Sequence, residues 1–98
     1  MRSTRRMEIV DEGARPRLAR HVRLKFDAAR DQYALLSPES ILVLNDTGVA
    51  IVELCDSRRT IADIQAELGS RYDHVADGDV RRFVTALVGK HGMEIDHG

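Results

Sequence analysis

Hydrophobic and polar residues alternate between residues 21 and 27, a period of two that predicts a half-buried β-strand. A second strand is predicted over 32–36, after a short polar loop. The segment 37–40 has a proline at its second position and is typical of a β-turn. The run Ile41–Leu44 then predicts a third strand, apolar on both faces. Three strands with two short connections predict an antiparallel meander.

After residue 44 the apolar spacing becomes that of helices. A first helix is predicted to begin at the capping residues 45–47 and to stop near 56–57. Thr60 and Asp63 predict a capping box at the start of a second helix, with Gly69 near its end. A third helix is predicted to begin at the cap Asp77 and to end at Gly92. Its apolar stripe consists of Val80, Phe83, Val84, Leu87 and Val88.

The order of these elements predicts the fold class. A three-stranded antiparallel sheet followed by three helices is an α+β arrangement, with the helices on one face of the sheet. The last two helices and the hairpin resemble a winged helix-turn-helix. We interpret residues 1–14 as a mobile N-terminal tail and residues 15–98 as a single domain, which Met93-Glu94-Ile95 could complete by packing back.

Composition excludes several protein classes. The 98 residues are 43% hydrophobic and 32% charged, as in globular proteins. The single cysteine excludes an intramolecular disulfide and an all-cysteine zinc site. The apolar runs are too short for a membrane span, and no apolar segment follows the basic N-terminus as in a secretory signal. We therefore expect a cytoplasmic protein.

The charge of the chain is unevenly distributed. Residues 1–30 carry nine basic and four acidic side chains, whereas residues 31–98 carry six basic and twelve acidic ones. A basic segment can bind nucleic acid, so a DNA-binding winged helix is one hypothesis. The second and third helices have mixed charge, however, which offers little counterion-release energy, and the basic segment is equally consistent with a solvated tail.

The third predicted strand has the most informative edge. It has no charge, proline or glycine from Ile41 to Leu44, whereas Arg23 and Lys25 guard the first strand. Such an edge is covered by its own chain, paired with a second copy in a homodimer, or open to an extended ligand. Beside it, the arginines of the third helix would suit a peptide that carries carboxylates. The candidate peptide-binding residues are Ile41, Leu42, Val43, Leu44, Asn45, Arg81, Val84, Thr85 and Val88.

The sequence predicts no catalytic residue, metal site or cofactor. Cys55 lies on the apolar side of the first helix and is interpreted as a packing residue. The four histidines, His21, His74, His91 and His97, have no ligand spacing, although His91 and His97 could share a metal with Asp96. No glycine-rich phosphate loop occurs.

Several segments together resemble the PqqD family over about residues 15–95. They are Pro16-Arg17-Leu18, Val22-Arg23-Leu24, Asp27, Leu35-Leu36-Ser37-Pro38-Glu39, Leu44-Asn45, Ile51-Val52-Glu53-Leu54-Cys55-Asp56, and Asp79-Val80 with Phe83. The most specific part is Leu-Leu-x-Pro-Glu with the downstream Leu-Asn. One departure is Ser57, where the family commonly has glycine.

The resemblance implies a small winged helix-turn-helix-like domain that acts in pyrroloquinoline quinone biosynthesis. It implies that the partners are the precursor peptide PqqA and the radical S-adenosylmethionine enzyme PqqE, which cross-links a glutamate and a tyrosine of that peptide. Related domains bind leader peptides as an added strand on the third strand, in a groove against the third helix. The choice of contact residues above rests on geometry and not on the family.

Overall fold

The computed structural model describes residues 10–72, 75, 76 and 78–96, and within these ranges it contains five strands and three helices. In chain order they are β1 (Arg15–Leu18), β2 (Arg23–Asp27), β3 (Gln32–Ser37), β4 (Ser40–Leu44), α1 (Asp46–Leu54), α2 (Ile61–Arg71), α3 (Asp79–Gly89) and β5 (Met93–Asp96). The predicted α+β class is confirmed, and the predicted third strand is β4.

Strands β2, β3 and β4 form an antiparallel sheet in that order, so the predicted meander is confirmed. Its two turns explain the register. The β2–β3 turn ends at Asp31, whose φ of 55° lies in the left-handed region, and the Asp27 carboxylate accepts hydrogen bonds from the turn's Ala29 and Arg30 N–H groups. The β3–β4 turn has only two residues, Pro38 and Glu39.

The helices begin largely where the capping residues predict. The Asn45 side chain accepts a hydrogen bond from the Gly48 N–H at 2.8 Å and caps α1. Thr60 and Asp63 form the expected capping box on α2, and the Thr60 backbone N–H holds the pKa of Asp63 below its usual value. Gly78 is the N-cap of α3, with a left-handed φ of 87°, and the predicted cap, Asp77, lies outside the described residues.

A second sheet pairs the two ends of the domain and was not predicted. Strand β1 runs antiparallel to β5, with Arg15 opposite Asp96 and Leu18 opposite Met93. An ion pair of 2.8 Å joins Arg17 to Glu94 across the two strands. The Met93-Glu94-Ile95 segment therefore packs back on the domain as a strand.

The predicted boundary at residue 15 is too late. Val10 and Ala14 are 3% and 0% exposed and belong to the core. The carbonyl of Glu12 accepts from the Ala62 N–H, and the carbonyl of Ala14 accepts from that of Ile61. These bonds satisfy two donors that every helix leaves free in its first turn. The domain thus includes residues 10–14, while residues 1–9 of the predicted tail lie outside the described residues.

The core lies between one face of the β2–β3–β4 sheet and the helices. Leu35 and Leu44 contribute from the sheet side, and the most deeply buried helical residues are Ile51, Ile61, Ile64, Leu68, Val80 and Val84. No helix within the described ranges is long and apolar enough to cross a bilayer.

Candidate functional site

Strand β4 lies at the edge of its sheet, and its turn determines which residues pair with β3. Ser37 and Ser40 lie opposite each other across the two-residue turn, which makes them a hydrogen-bonded pair of the ladder. Because such pairs alternate with non-bonded ones, Leu42 and Leu44 also direct their N–H and C=O groups toward β3. Their side chains turn inward, Leu42 half-buried and Leu44 buried.

The backbone groups of Ile41 and Val43 point the other way, to the free edge. Among the described residues, β4 has β3 as its only neighbouring strand, so no second strand pairs with this edge, which we call the open edge. It offers two N–H donors and two C=O acceptors to an extended chain. The Ile41 and Val43 side chains are 60% and 39% exposed, on the sheet face opposite the core. The sequence marked this edge as unguarded, left covered, paired and open edges as alternatives, and could not show which residues point outward.

Residues of β4 and of α3 line a common cavity, and we call the space between the two elements the β4–α3 groove. At one end, a cavity of about 110 Å³ is lined by Leu42 of β4 and by Leu87, Lys90 and His91 at the end of α3. This volume is several times the roughly 30 Å³ that one water occupies in the liquid. Val22 and Leu35 also contribute apolar side chains to the wall of this cavity.

A second, shallower pocket lies at the other end of the groove. It is lined by Asn45, Thr47 and Gly48 at the start of α1 and by Asp79 and Phe83 of α3. A Cβ placed on Gly48 would lie 3.2 Å from the Phe83 ring, so the glycine allows α1 and α3 to approach closely here. The two pockets lie at opposite ends of β4, and an extended segment along its edge would pass both.

The groove side of α3 differs from the side predicted by sequence. Phe83, Leu87 and Lys90 line the pockets, at spacings of four and three residues. The predicted Arg81, Thr85 and Val88 have the same spacing but are displaced by two residues, about 200° around the helix. Within the described part of the chain, none of these three lines either pocket.

The fourth predicted helix residue, Val84, is 0% exposed and packs in the core, where a ligand cannot reach it. Of the predicted site, Leu42 and Asn45 line the two pockets. Ile41 and Val43 lie at the unpaired edge of β4 and Leu44 is buried, whereas the α3 set lines neither pocket. Phe83 and Leu87 belong to the predicted apolar stripe but were not among the predicted contact residues. Their position at the margin of that stripe is the only sequence signal for a groove.

The described residues contain no cluster of side chains suited to hold a metal ion. His74 and His97, and so the alternative metal site at His91 and His97, lie outside them. Cys55 is buried, as predicted, and its thiol donates to the Ile51 carbonyl at 3.1 Å. Burial raises the pKa of Cys55 to about 12, with a smaller contribution from the charge of Asp56. At neutral pH this thiol is protonated and unsuited to nucleophilic attack.

Comparison with known proteins identifies relatives of the whole domain. The family model described as "Coenzyme PQQ synthesis protein D (PqqD)" matches residues 32–91. A PqqA binding protein of Rhodopseudomonas palustris strain TIE-1 is 41% identical over 80 residues, which cover 81% of this chain and 76% of that protein.

Two further matches are a curated relative and a solved structure. A bifunctional coenzyme PQQ synthesis protein C/D of Methylorubrum extorquens is 38% identical over 82 residues, and the match spans 81% of this chain but only 22% of that protein. The solution NMR structure of the PqqD part of Methylobacterium extorquens PqqCD, described as a stand-alone recognition element for ribosomally synthesized and post-translationally modified peptides, matches with a TM-score of 0.70. It is 36% identical, and the match covers 89% of this chain and 97% of that one.

Proposed function

The chain belongs to the PqqD family, and from this membership we propose that it is a peptide-binding chaperone in pyrroloquinoline quinone biosynthesis. Its ligand in this proposal is the ribosomal precursor peptide PqqA, after which the Rhodopseudomonas relative is named. It presents the bound peptide to the radical S-adenosylmethionine enzyme PqqE in the cytoplasm, where the peptide is made. The protein itself carries out no chemical step and needs no cofactor.

The observation that carries this proposal is the open β4 edge beside the β4–α3 groove. A peptide that adds to this edge forms hydrogen bonds with the backbone of Ile41 and Val43, which supply affinity without regard to peptide sequence. These are the outward groups of an edge that no charged side chain of β4 protects.

Specificity comes from the side chains of the added strand. Alternate residues of a strand point to opposite faces, so every second peptide side chain faces α3. The wall of the cavity of about 110 Å³ is apolar at Leu42 and Leu87, while Lys90 and His91 stand at the end of the helix. We propose that apolar peptide side chains enter this cavity and that Phe83, Leu87 and Lys90 replace Arg81, Thr85 and Val88 as the contacts from α3.

The DNA-binding hypothesis receives less support from the helices. Arg82 of α3 is paired with Asp79, and Arg71 of α2 is paired with Glu67 at 2.8 Å. Neutralised arginines release few counterions on binding to phosphate, so we expect duplex DNA to bind with no more than weak affinity.

The proposal is tested by titrating isotope-labelled protein with the PqqA peptide and following the amide shifts. The largest changes are expected in residues 41–45, with a second group at residues 83, 87 and 90–92. Residues 81 and 85 serve as internal controls on the other side of the same helix and are expected to shift less. Changes confined to residues 10–30, or the absence of any change at peptide excess, would contradict the proposed site.

A further inference from the structure

The β2–β3–β4 sheet has a second face, directed away from the helices, which we call the outer face. Directly paired residues place their side chains on the same side of a sheet. The pairing therefore defines two rows across the outer face. One row is Arg23, Leu36 and Ile41, and the other is Lys25, Ala34 and Val43.

These rows combine exposed apolar groups with unpaired positive charge. Ile41 and Val43 are among the most exposed large hydrophobic residues of the described chain. Leu36 beside Ile41 is half-buried, while Ala34 beside Val43 is only 1% exposed. Arg23 and Lys25 are exposed on β2, and neither forms an ion pair with a described residue. Contiguous exposed apolar residues bordered by charge mark a protein-binding surface.

The outer face is continuous with the proposed peptide site. Ile41 and Val43 contribute their backbone to the open edge and their side chains to the outer face. A strand added at that edge would extend the outer face by one more strand, with every second peptide side chain beside Ile41 and Val43. A protein that docks on the outer face would therefore touch both the domain and the bound peptide.

We propose that the outer face is the docking surface for the enzyme that modifies the bound peptide, through a surface of that enzyme that is apolar at its centre and acidic beside it. This inference rests on the proposed function. Arg23 and Lys25 would pair with carboxylates of the enzyme, and Ile41 and Val43, at the other end of each row, would contact apolar side chains. A second copy of this chain fits less well, because it would bring four such cations together, and Asp27, the acid of β2 on this face, is already paired with Arg30.

The test separates the two sites by reversing charges that are remote from the peptide. Arg23→Glu and Lys25→Glu lie on β2, two strands from the open edge. Arg58→Glu is the matched control, because Arg58 is exposed on the α1–α2 connection and the change in net charge is the same. Each protein is measured for affinity to PqqA and, when loaded with PqqA, for affinity to PqqE at low salt.

We expect all three variants to bind the peptide within about twofold of the parent. Arg23→Glu and Lys25→Glu are each expected to weaken binding to the enzyme by at least about fivefold, an effect that shrinks as salt is added, whereas Arg58→Glu changes it by less than about twofold.

Three results would overturn the inference. Enzyme binding that is unchanged in both β2 variants removes the docking surface while leaving peptide binding intact. Loss of peptide binding in these variants assigns the cations to the peptide site instead. A parent that light scattering shows to be a dimer, and that Arg23→Glu dissociates, assigns the outer face to a second copy. A parent that binds no PqqA is a different failure, that of the proposed function.

Discussion

At the scale of single residues, the turn after α1 has a backbone conformation that explains the family's preference for glycine. Ser57 has a φ of 67°, in the left-handed region where a Cβ clashes with the backbone. The turn is held by its neighbours, because the Asp56 carboxylate accepts from the Arg58 and Arg59 N–H groups and Ser57 donates to the Pro16 carbonyl at 3.0 Å. The departure from glycine thus costs conformational energy without changing the fold.

Ser57→Gly is expected to stabilise the protein by about 0.5–1 kcal/mol, because glycine adopts a positive φ without steric cost. Denaturant unfolding measures the change. Ser57→Ala is the matched control: it removes the hydroxyl but keeps the Cβ, so it should bring no gain. Equal stabilisation by glycine and alanine would show that the backbone conformation is not the cause.

The buried thiol gives a prediction that depends on pH. Because the pKa of Cys55 is raised to about 12, the unfolded chain ionises this thiol first, near the ordinary pKa of about 8.5. The stability that the protonated thiol provides is complete below that pH and declines above it. Between pH 7 and pH 10 the parent should lose more stability than Cys55→Ser, as followed by thermal melting at each pH.

Cys55→Ser should also leave peptide binding nearly unchanged, since the thiol is buried at the C-terminal end of α1 and donates to the Ile51 carbonyl. A disulfide reagent at pH 8 should modify the folded parent more than about a hundredfold more slowly than the unfolded chain. A folded Cys55→Ser protein that no longer binds peptide or no longer supports cofactor production would reveal a functional thiol.

At the scale of elements, β4 illustrates what a sequence can determine. Its apolar, uncharged composition marked it as an unguarded edge, and the structure confirms its place beside β3 alone among the described residues. Composition does not determine which backbone groups face outward, because that depends on the pairing register. The two-residue turn determines the register and directs Ile41 and Val43 outward.

This geometry predicts opposite results for two neighbouring proline substitutions. Val43→Pro removes one donor from the open edge and no bond to β3, so the protein should stay folded and lose at least about tenfold in peptide affinity. Leu42→Pro removes a donor to β3 and a half-buried side chain, so it should destabilise the domain by several kcal/mol. Circular dichroism and thermal melting establish the folded state before binding is measured.

Val43→Ala is the matched control for the edge, since it shortens the same side chain but keeps the N–H group. Its peptide affinity should stay within about threefold of the parent. If Val43→Pro is folded and binds as tightly as the parent, the peptide does not add to β4, and recognition would have to proceed through side chains alone.

At the scale of the whole molecule, local patterns predicted the meander and helices, whereas contacts distant in sequence were missed. Strands β1 and β5 pair across more than 70 residues of chain. Each has only four residues, which is too short to show a recognisable period of two. The side of α3 was missed for a related reason. Periodicity shows which residues form an apolar stripe, but the element that packs against each margin is set by the tertiary fold. The sequence therefore could not show that Phe83 and Leu87 line pockets whereas Val84 lines neither.

The segment 10–14 shows the same limit, because without a period of its own it was assigned to a tail although it completes the core and the first turn of α2. Two shortened chains, one beginning at residue 8 and one at residue 15, measure its contribution. Losing the burial of Val10 costs about 1.5–3 kcal/mol, and losing the two bonds from Ile61 and Ala62 costs about 1 kcal/mol each.

The chain beginning at residue 15 should therefore melt at least about 12 °C below the chain beginning at residue 8, since 1 kcal/mol corresponds to roughly 4–8 °C in a domain of this size. Val10→Ala in the full chain should produce part of this loss, about 1–2 kcal/mol, with the backbone bonds of Glu12 and Ala14 intact. Equal melting temperatures for the two shortened chains would contradict the packing of residues 10–14 and restore the domain boundary at residue 15. A difference of the expected size would show that residues 10–14 join β1 to α2. The position of the helices behind β4 would then depend on this segment.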